Sequence, residues 1–204
     1  MTEPLTFERS RPVVLVPHQP AWATEFTALA RRLQALAGPE LLAIDHIGST
    51  AVPGLVAKDV LDVQLRVAQW ADAAILVQRL RAVGFRQGLQ WEYDLFHGLP
   101  ARSVEVRKLY LREPEGERRM HLHLREAGRF NARFALLFRD YLRAHGPARE
   151  EYGLLKQRAA AVFPDSIDGY LFLKEPVFHL LYHAAELWAE KVGWQPDSVV
   201  DQIS

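Results

Sequence analysis

The run Leu61-Asp62-Val63-Gln64-Leu65-Arg66-Val67, led by Val60, alternates apolar and polar side chains without a break. A period of two puts successive side chains on opposite sides of an extended chain, so Val60 to Val67 is a β-strand. Leu61, Val63, Leu65 and Val67 form a face that must be covered by a hydrophobic layer. Asp62, Gln64 and Arg66 form the other face, a polar floor. Two readings of that floor stay open. It is the wet side of an edge strand, or it holds a ligand, because buried charge without a partner is costly.

Upstream lies Gly48-Ser49-Thr50, then Lys58. Glycine lets backbone approach a ligand closely, and the two hydroxyls stand beside exposed N–H groups, which together suit an anion. The same tripeptide also serves as a plain turn or helix cap. A small-residue turn, a basic residue and a strand acid in that order point to phosphate chemistry.

Around this centre the other elements follow from periodicity. Met1 to Arg11 reads as a polar arm and Val13 to Val16 as a short strand or extended piece. Trp22, Phe26, Leu29, Leu33 and Leu36 make the stripe of a helix that starts at Ala21 and stops at Gly38-Pro39. Leu41 to Ile47 is a strand feeding the turn. Trp70 to Val83 is a helix with Ala74, Val77, Leu80 and Arg81 in its pattern and Gly84 as its cap. A short strand is expected near Leu89 to Trp91, then a loop from Asp94 to Pro100, from which Asp94 and His97 either reach a site or simply face water. Ser103 to Leu111 and Arg118 to Arg125 flank the turn cluster Glu113-Pro114-Glu115-Gly116 and read as a β-hairpin. Helices are expected at Phe130 to Ala144, at Ala148 to Phe163 with Tyr152, Leu155, Ala159 and Val162 inward, and at Glu175 to Val192. The tail from Gly193 has no periodicity. The economical architecture is a flexible arm (1–12), an α/β core (13–126) of helices on a mixed sheet, and a helical cap (127–204) on the same core, with the site in the cleft between them.

His121 and His123 stand at i, i+2 on the second hairpin strand and so project side by side, able to bind a metal or a phosphate, or else lying on a solvated face. His179, His183, Glu186 and Glu190 share one helix face opposite the apolar stripe of Val177, Leu181, Ala184 and Trp188. That face is read as outward-looking rather than as a metal centre.

Lys plus Arg equals Asp plus Glu at 25 each, so no global field gathers nucleic acid or membrane. The absence of cysteine excludes disulfides, thiolate nucleophiles and Cys-ligated zinc. The N-terminus has no signal architecture, and no apolar run approaches the ~20 residues that span a bilayer, so a cytoplasmic location is expected.

The segments His46-Ile47-Gly48-Ser49-Thr50, Val52-Pro53-Gly54-Leu55, Ala57-Lys58 and Asp62 resemble the opening signature of the GrpB family, placed in the nucleotidyltransferase superfamily. Gly84-Phe85, His121 to Leu124, Phe138 to Arg143, and Tyr152 with Lys156 fit as well, so the resemblance runs from Val14 to Ala185. It implies a nucleotidyltransferase-like mixed sheet, with Gly48, Ser49 and Thr50 on phosphate and Asp62 as the first of two Mg²⁺-binding acids. The second acid falls at Gln64, an amide that brings no negative charge. Packing the hairpin beside the central strand, as in that superfamily, would bring His121 and His123 to Asp62. One carboxylate and two imidazoles suit Mn²⁺, Fe²⁺ or Zn²⁺ better than Mg²⁺. Glu105 competes as a third acid, and Arg139 and Lys156 match family positions as phosphate clamps.

Three functions are compatible with these features. The first is a metal-dependent nucleotidyl or phosphoryl transferase acting on a small molecule or protein, with Lys58 on phosphate and Asp62, Gln64 and Glu105 at the reacting centre. The second is a nucleotide- or phosphometabolite-binding module without catalysis. The third is a partner-binding scaffold.

Overall fold

The structure is a computed structural model that describes residues 6–88 and 92–196. Five strands form one sheet in the order β1-β2-β5-β4-β3. They are β1 (Leu41–Ile47), β2 (Leu61–Val67), β3 (Arg86–Gly88), β4 (Leu109–Arg112) and β5 (Met120–Glu126). Only the β2–β5 pair is parallel; the other three pairs are antiparallel. The mixed α/β class follows, as expected.

Helices α1 (Ala21–Ala37) and α2 (Trp70–Ala82) cover the apolar face. There Trp22, Leu29 and Leu33 meet Leu61, Val63, Leu65, Leu76, Leu80, Leu122 and Leu124 in the main core. Each such side chain taken fully from water contributes about 1.5–3 kcal/mol. The buried stripe of α2 is Ala73, Leu76, Val77 and Leu80, while Ala74 and Arg81 are exposed. The run Ala73 to Val77 is apolar all round, so periodicity alone does not fix its phase. A capping box between Gln69 and Asp72 sets the helix start, and Gly84, at φ +97°, follows its end.

Helices α3 (Phe130–Ala144), α4 (Gly146–Val162) and α5 (Ile167–Val192) form the cap. α3 lies on the polar face of the sheet, where the Gln64 amide donates to the Ala132 carbonyl at 3.2 Å. α5 begins eight residues earlier than expected, at a Ser166 side-chain cap on the Gly169 N–H, and runs through Pro176. Proline suits a first helical turn, which is why Glu175-Pro176 reads as a start. Val162 is exposed at the end of α4 rather than inward.

Several expected pieces take other forms. Val13 to Val16 is no strand; Val16 makes an isolated bridge to Ala57. Ser103 to Leu111 is a strand only from Leu109, because the Ser103 hydroxyl accepts from the Glu105 N–H and folds Val104–Val106 into a 3-10 turn. The strand expected at 89–91 lies outside the described residues. Residues 6–12 have no regular structure yet are seated on the α4–α5 corner. There Phe7 packs at 5.0 Å from Phe163, and the Ser10 N–H bonds the Asp165 carbonyl at 2.7 Å. Trp194 of the tail likewise donates to Asp140 at 3.2 Å. No helix among the described residues is long and apolar enough to cross a membrane.

Candidate metal and phosphate site

The turn after β1 is pressed against the first residues of β2. Gly48 has φ +68° and ψ −168°, and a Cβ there would stand 2.5 Å from Asp62 Oδ2 and 2.8 Å from Asp62 Cβ. Only glycine combines that backbone with that approach. Ser49 begins a single 3-10 turn and lies beside the Tyr152 hydroxyl of α4. The Thr50 hydroxyl is buried and bonded at 3.0 Å to His46 Nε2, so it holds the turn rather than facing the cleft. His46 itself stacks on Phe26 at 4.6 Å, and burial first, then the cations Arg143 and Arg139, pushes its pKa down to about 4 against the pull of Asp62.

In the parallel ladder Asp62 stands opposite His121, and Gln64 opposite His123. Asp62 Oδ1 accepts from His121 Nδ1 at 2.9 Å and lies 3.9 Å from His123 Nε2. Burial pushes the Asp62 carboxyl up, yet the hydrogen bond from His121, with the His123 imidazole beside it, outweighs this and holds it well below the carboxylate range. Burial pushes His123 down to about 4, so it is a neutral imidazole at neutral pH, the state that binds metals. Its Nδ1 is buried with no hydrogen-bond partner. Ligand atoms of Asp62, His121 and His123 lie within 4.8 Å of one another. The two imidazole planes cross at 87°, so a single ion can lie in both.

The rest of the polar floor is sealed. Gln64 is wholly buried; its amide donates to Asp45 at 3.1 Å and accepts from Arg125 at 2.8 Å. Arg66 makes a two-pronged pair with Asp45, at 2.8 and 3.0 Å. Asp94 comes in from its loop to bind Lys108 at 2.5 Å, Arg125 at 2.8 Å and the Asn131 amide at 3.1 Å. Burial alone would raise Asp94, but Arg125 and Lys108 hold it far below the usual range. Gln64 is therefore a structural amide with its donors and acceptor engaged, not a group at the reacting centre. Glu105 is also elsewhere: it accepts from the Phe130 N–H and pairs with Arg129 at the start of α3.

Three lysines, Lys58, Lys156 and Lys174, gather near Asp62. Lys58 and Lys174 flank the Tyr170 ring, with amines 5.7 and 4.9 Å from its centre. Burial, with Lys58 nearby, lowers Lys174 to about 7; burial, then Lys174, lowers Lys156 to about 6. The Lys156 amine donates to the Val56 carbonyl and its side chain is buried rather than on the surface. Arg139 is not a clamp reaching into the cleft. It is buried against Asp140 at 2.7 Å and donates to the His46 carbonyl at 3.2 Å, bracing the strand that leads into the turn. Lys174 and Tyr170 escaped sequence reasoning. Their signal was present in the spacing of Tyr170, Lys174 and Phe178, which places a cation inside an aromatic helix stripe.

A second cluster, His97, Glu175 and His179, also gathers ligand-type atoms. His97 and His179 stack in parallel, 3.9 Å apart at 4°, so no point lies in both ring planes. His179 Nε2 already accepts from the His97 N–H at 2.9 Å. This cluster ties the loop to α5 and is no metal centre.

The family described as GrpB protein matches residues 12–184. The crystal structure of the conserved protein GrpB from Enterococcus faecalis superposes with a TM-score of 0.69 at 29% identity, over 86% of this chain and 99% of that one. A protein named dephospho-CoA kinase from Mycolicibacterium paratuberculosis is 36% identical over 199 residues, covering 91% of this chain but 49% of the relative. A structure of the Cid1 poly(U) polymerase aligns at 13% identity and a TM-score of 0.48, over 77% of this chain and 49% of that chain. The chain thus spans about half the length of the first curated relatives it matches, at 49%, 48% and 49%. With a family match across most of its length, the chain belongs to the GrpB family.

Proposed function

We propose that the cleft binds a nucleotide or another phosphorylated small molecule and supports transfer of its nucleotidyl or phosphoryl group with a divalent ion at Asp62. The observation that carries this reading is the convergence of the Gly48 turn on Asp62 with Lys58, Lys156 and Lys174 close by, none of the three ion-paired with a carboxylate among the described residues. Buried amines without a carboxylate are costly unless an anion completes them. Phosphoryl oxygens are the anion that such a turn fits and that favours the charged form of such amines. Positioning and charge stabilisation are most of what phosphoryl transfer asks of a protein.

A binder without catalysis is the second reading, favoured by the burial of Gln64 where a second metal-binding acid would stand. Thermal unfolding against nucleotides and phosphorylated metabolites, each with EDTA, Mg²⁺ or Mn²⁺, tests both. A ligand at about a hundredfold over its dissociation constant adds ~2.7 kcal/mol. A metal-dependent shift, with turnover lost in Asp62→Ala, supports transfer. A metal-independent shift without product supports the binder. No shift with any compound rejects both and leaves the scaffold.

A further inference from the structure

We infer that Asp62, His121 and His123 hold one imidazole-seeking divalent ion of the Zn²⁺, Fe²⁺ or Mn²⁺ class, and that the Arg125 guanidinium takes over the charge of a second ion. The inference deepens the phosphate-transfer reading and rests on it for the ion's role, though not for its binding.

Three features of the triad suit a single such ion. Ligand atoms of all three lie within 4.8 Å of one another, His123 Nε2 faces Asp62 Oδ1 at 3.9 Å, beyond hydrogen-bond distance, and a proton is held between His121 Nδ1 and Asp62 Oδ1 at 2.9 Å. Metal binding displaces protons of that kind. Nitrogen donors in pairs favour zinc and its neighbours, whereas Mg²⁺ demands oxygen in near-octahedral array.

The neighbouring position is closed to a second ion. Gln64 accepts from Arg125 at 2.8 Å, and the groups around it are Arg66, Arg125 and Lys108 against the carboxylates Asp45 and Asp94. Both carboxylates there are already engaged, Asp45 by Arg66 and Asp94 by Lys108 and Arg125, so a further divalent charge in that buried setting meets cations rather than a free ligand set. An acid placed at Gln64 would pair with the Arg125 already there. The guanidinium therefore offers fixed positive charge on the floor beside the triad without exchanging with solvent ions.

Chelator-treated protein titrated with Zn²⁺, Co²⁺, Mn²⁺ and Mg²⁺ by calorimetry, with the Co²⁺ visible spectrum as a reporter of nitrogen ligation, tests this. The expected result is one equivalent per chain, with Mg²⁺ at least about a hundredfold weaker. His121→Asn and His123→Asn each weaken binding about 10–100-fold. Gln64→Asp and His97→Ala retain the single equivalent. Two equivalents, equal affinity for Mg²⁺, unaltered affinity in both histidine variants, or a second equivalent appearing in Gln64→Asp would each overturn it. The wild-type Co²⁺ spectrum needs no variant to fold. A phosphate-ligand shift that persists in EDTA while no metal binds sinks this inference and spares the anion cleft; metal binding with no phosphate ligand does the reverse.

Discussion

Replacing Gly48 by alanine tests the closest approach in the site. Its φ of +68° with ψ of −168° lies in a region open essentially to glycine, which costs another residue about 1–3 kcal/mol. The new Cβ would stand 2.8 Å from Asp62 Cβ, backed by the ladder to β5, and overpacking of that kind adds about 1–3 kcal/mol. The sum, roughly 2–6 kcal/mol, is a sizeable part of the ~5–15 kcal/mol by which a domain is stable. At about 2–4 °C per kcal/mol for a chain of this size, Tm falls by roughly 4–24 °C. Gly128→Ala is the control: φ is +81° there, and nothing lies within 4 Å of a Cβ, so only backbone strain remains. Differential scanning calorimetry of the two variants isolates the clash with Asp62. Equal Tm values for the two, with wild-type metal binding in Gly48→Ala, refute the claim that the turn is packed onto the carboxylate.

Three further outcomes follow from the same geometry. Asp45→Asn strands a buried guanidinium and costs about 3–5 kcal/mol in urea unfolding; a loss under about 1 kcal/mol means Arg66 finds another partner. Lys174→Met removes a buried amine without a carboxylate, so the ligand-free protein melts higher while the shift given by phosphorylated ligands shrinks; a lower melting point with an intact ligand shift contradicts the cleft reading. For pH, His46 is neutral when folded, with a pKa lowered to about 4 from an unfolded value near ~6.5. The unfolded chain therefore binds the proton first, and this contribution, about 3 kcal/mol at full size, is present above ~6.5 and lost as pH falls towards 4. His46→Gln should flatten part of that slope in urea titrations between pH 7 and pH 4.5, and an unchanged slope would remove His46 as its source.

The framework was legible because period and punctuation agree in it. β2, α1 and α3 fall where alternation, helical stripes and Gly-Pro stops put them, and Asp62 meets His121 as the hairpin placement requires. What escaped depends on partners distant in sequence. Alternation showed that Asp62, Gln64 and Arg66 share a face, but not that α3 would close over Gln64 and Asp45 engage Arg66 while Asp62 stays about a third exposed. Asp45 reads as a polar residue beside His46 in an otherwise apolar strand, and only the β1–β2 register turns it into the counter-ion of Arg66. Arg139 and Glu105 have residue types fit for a site, yet local neighbours, Asp140 and Arg129, engage them first. The extent of α5 was hidden by Pro176, whose helix-starting preference is weaker than the packing of Tyr170 and Ala185 on either side of it.

The parallel pairing of β2 with β5 also fixes when in folding the site can exist. Asp62 and His121 are 59 residues apart in sequence, and everything between them must be looped out before the two strands can meet. Such non-local pairing is slow, because loop closure comes before any contact that compensates it. A slip of one residue in the ladder would set Leu122 against Asp62 and turn both histidines to the apolar side, so no misregistered intermediate carries a partial triad. Metal affinity recovered during refolding should therefore track docking of β5 in its final register and appear in one step. The triad thus serves as an internal reporter of correct strand order.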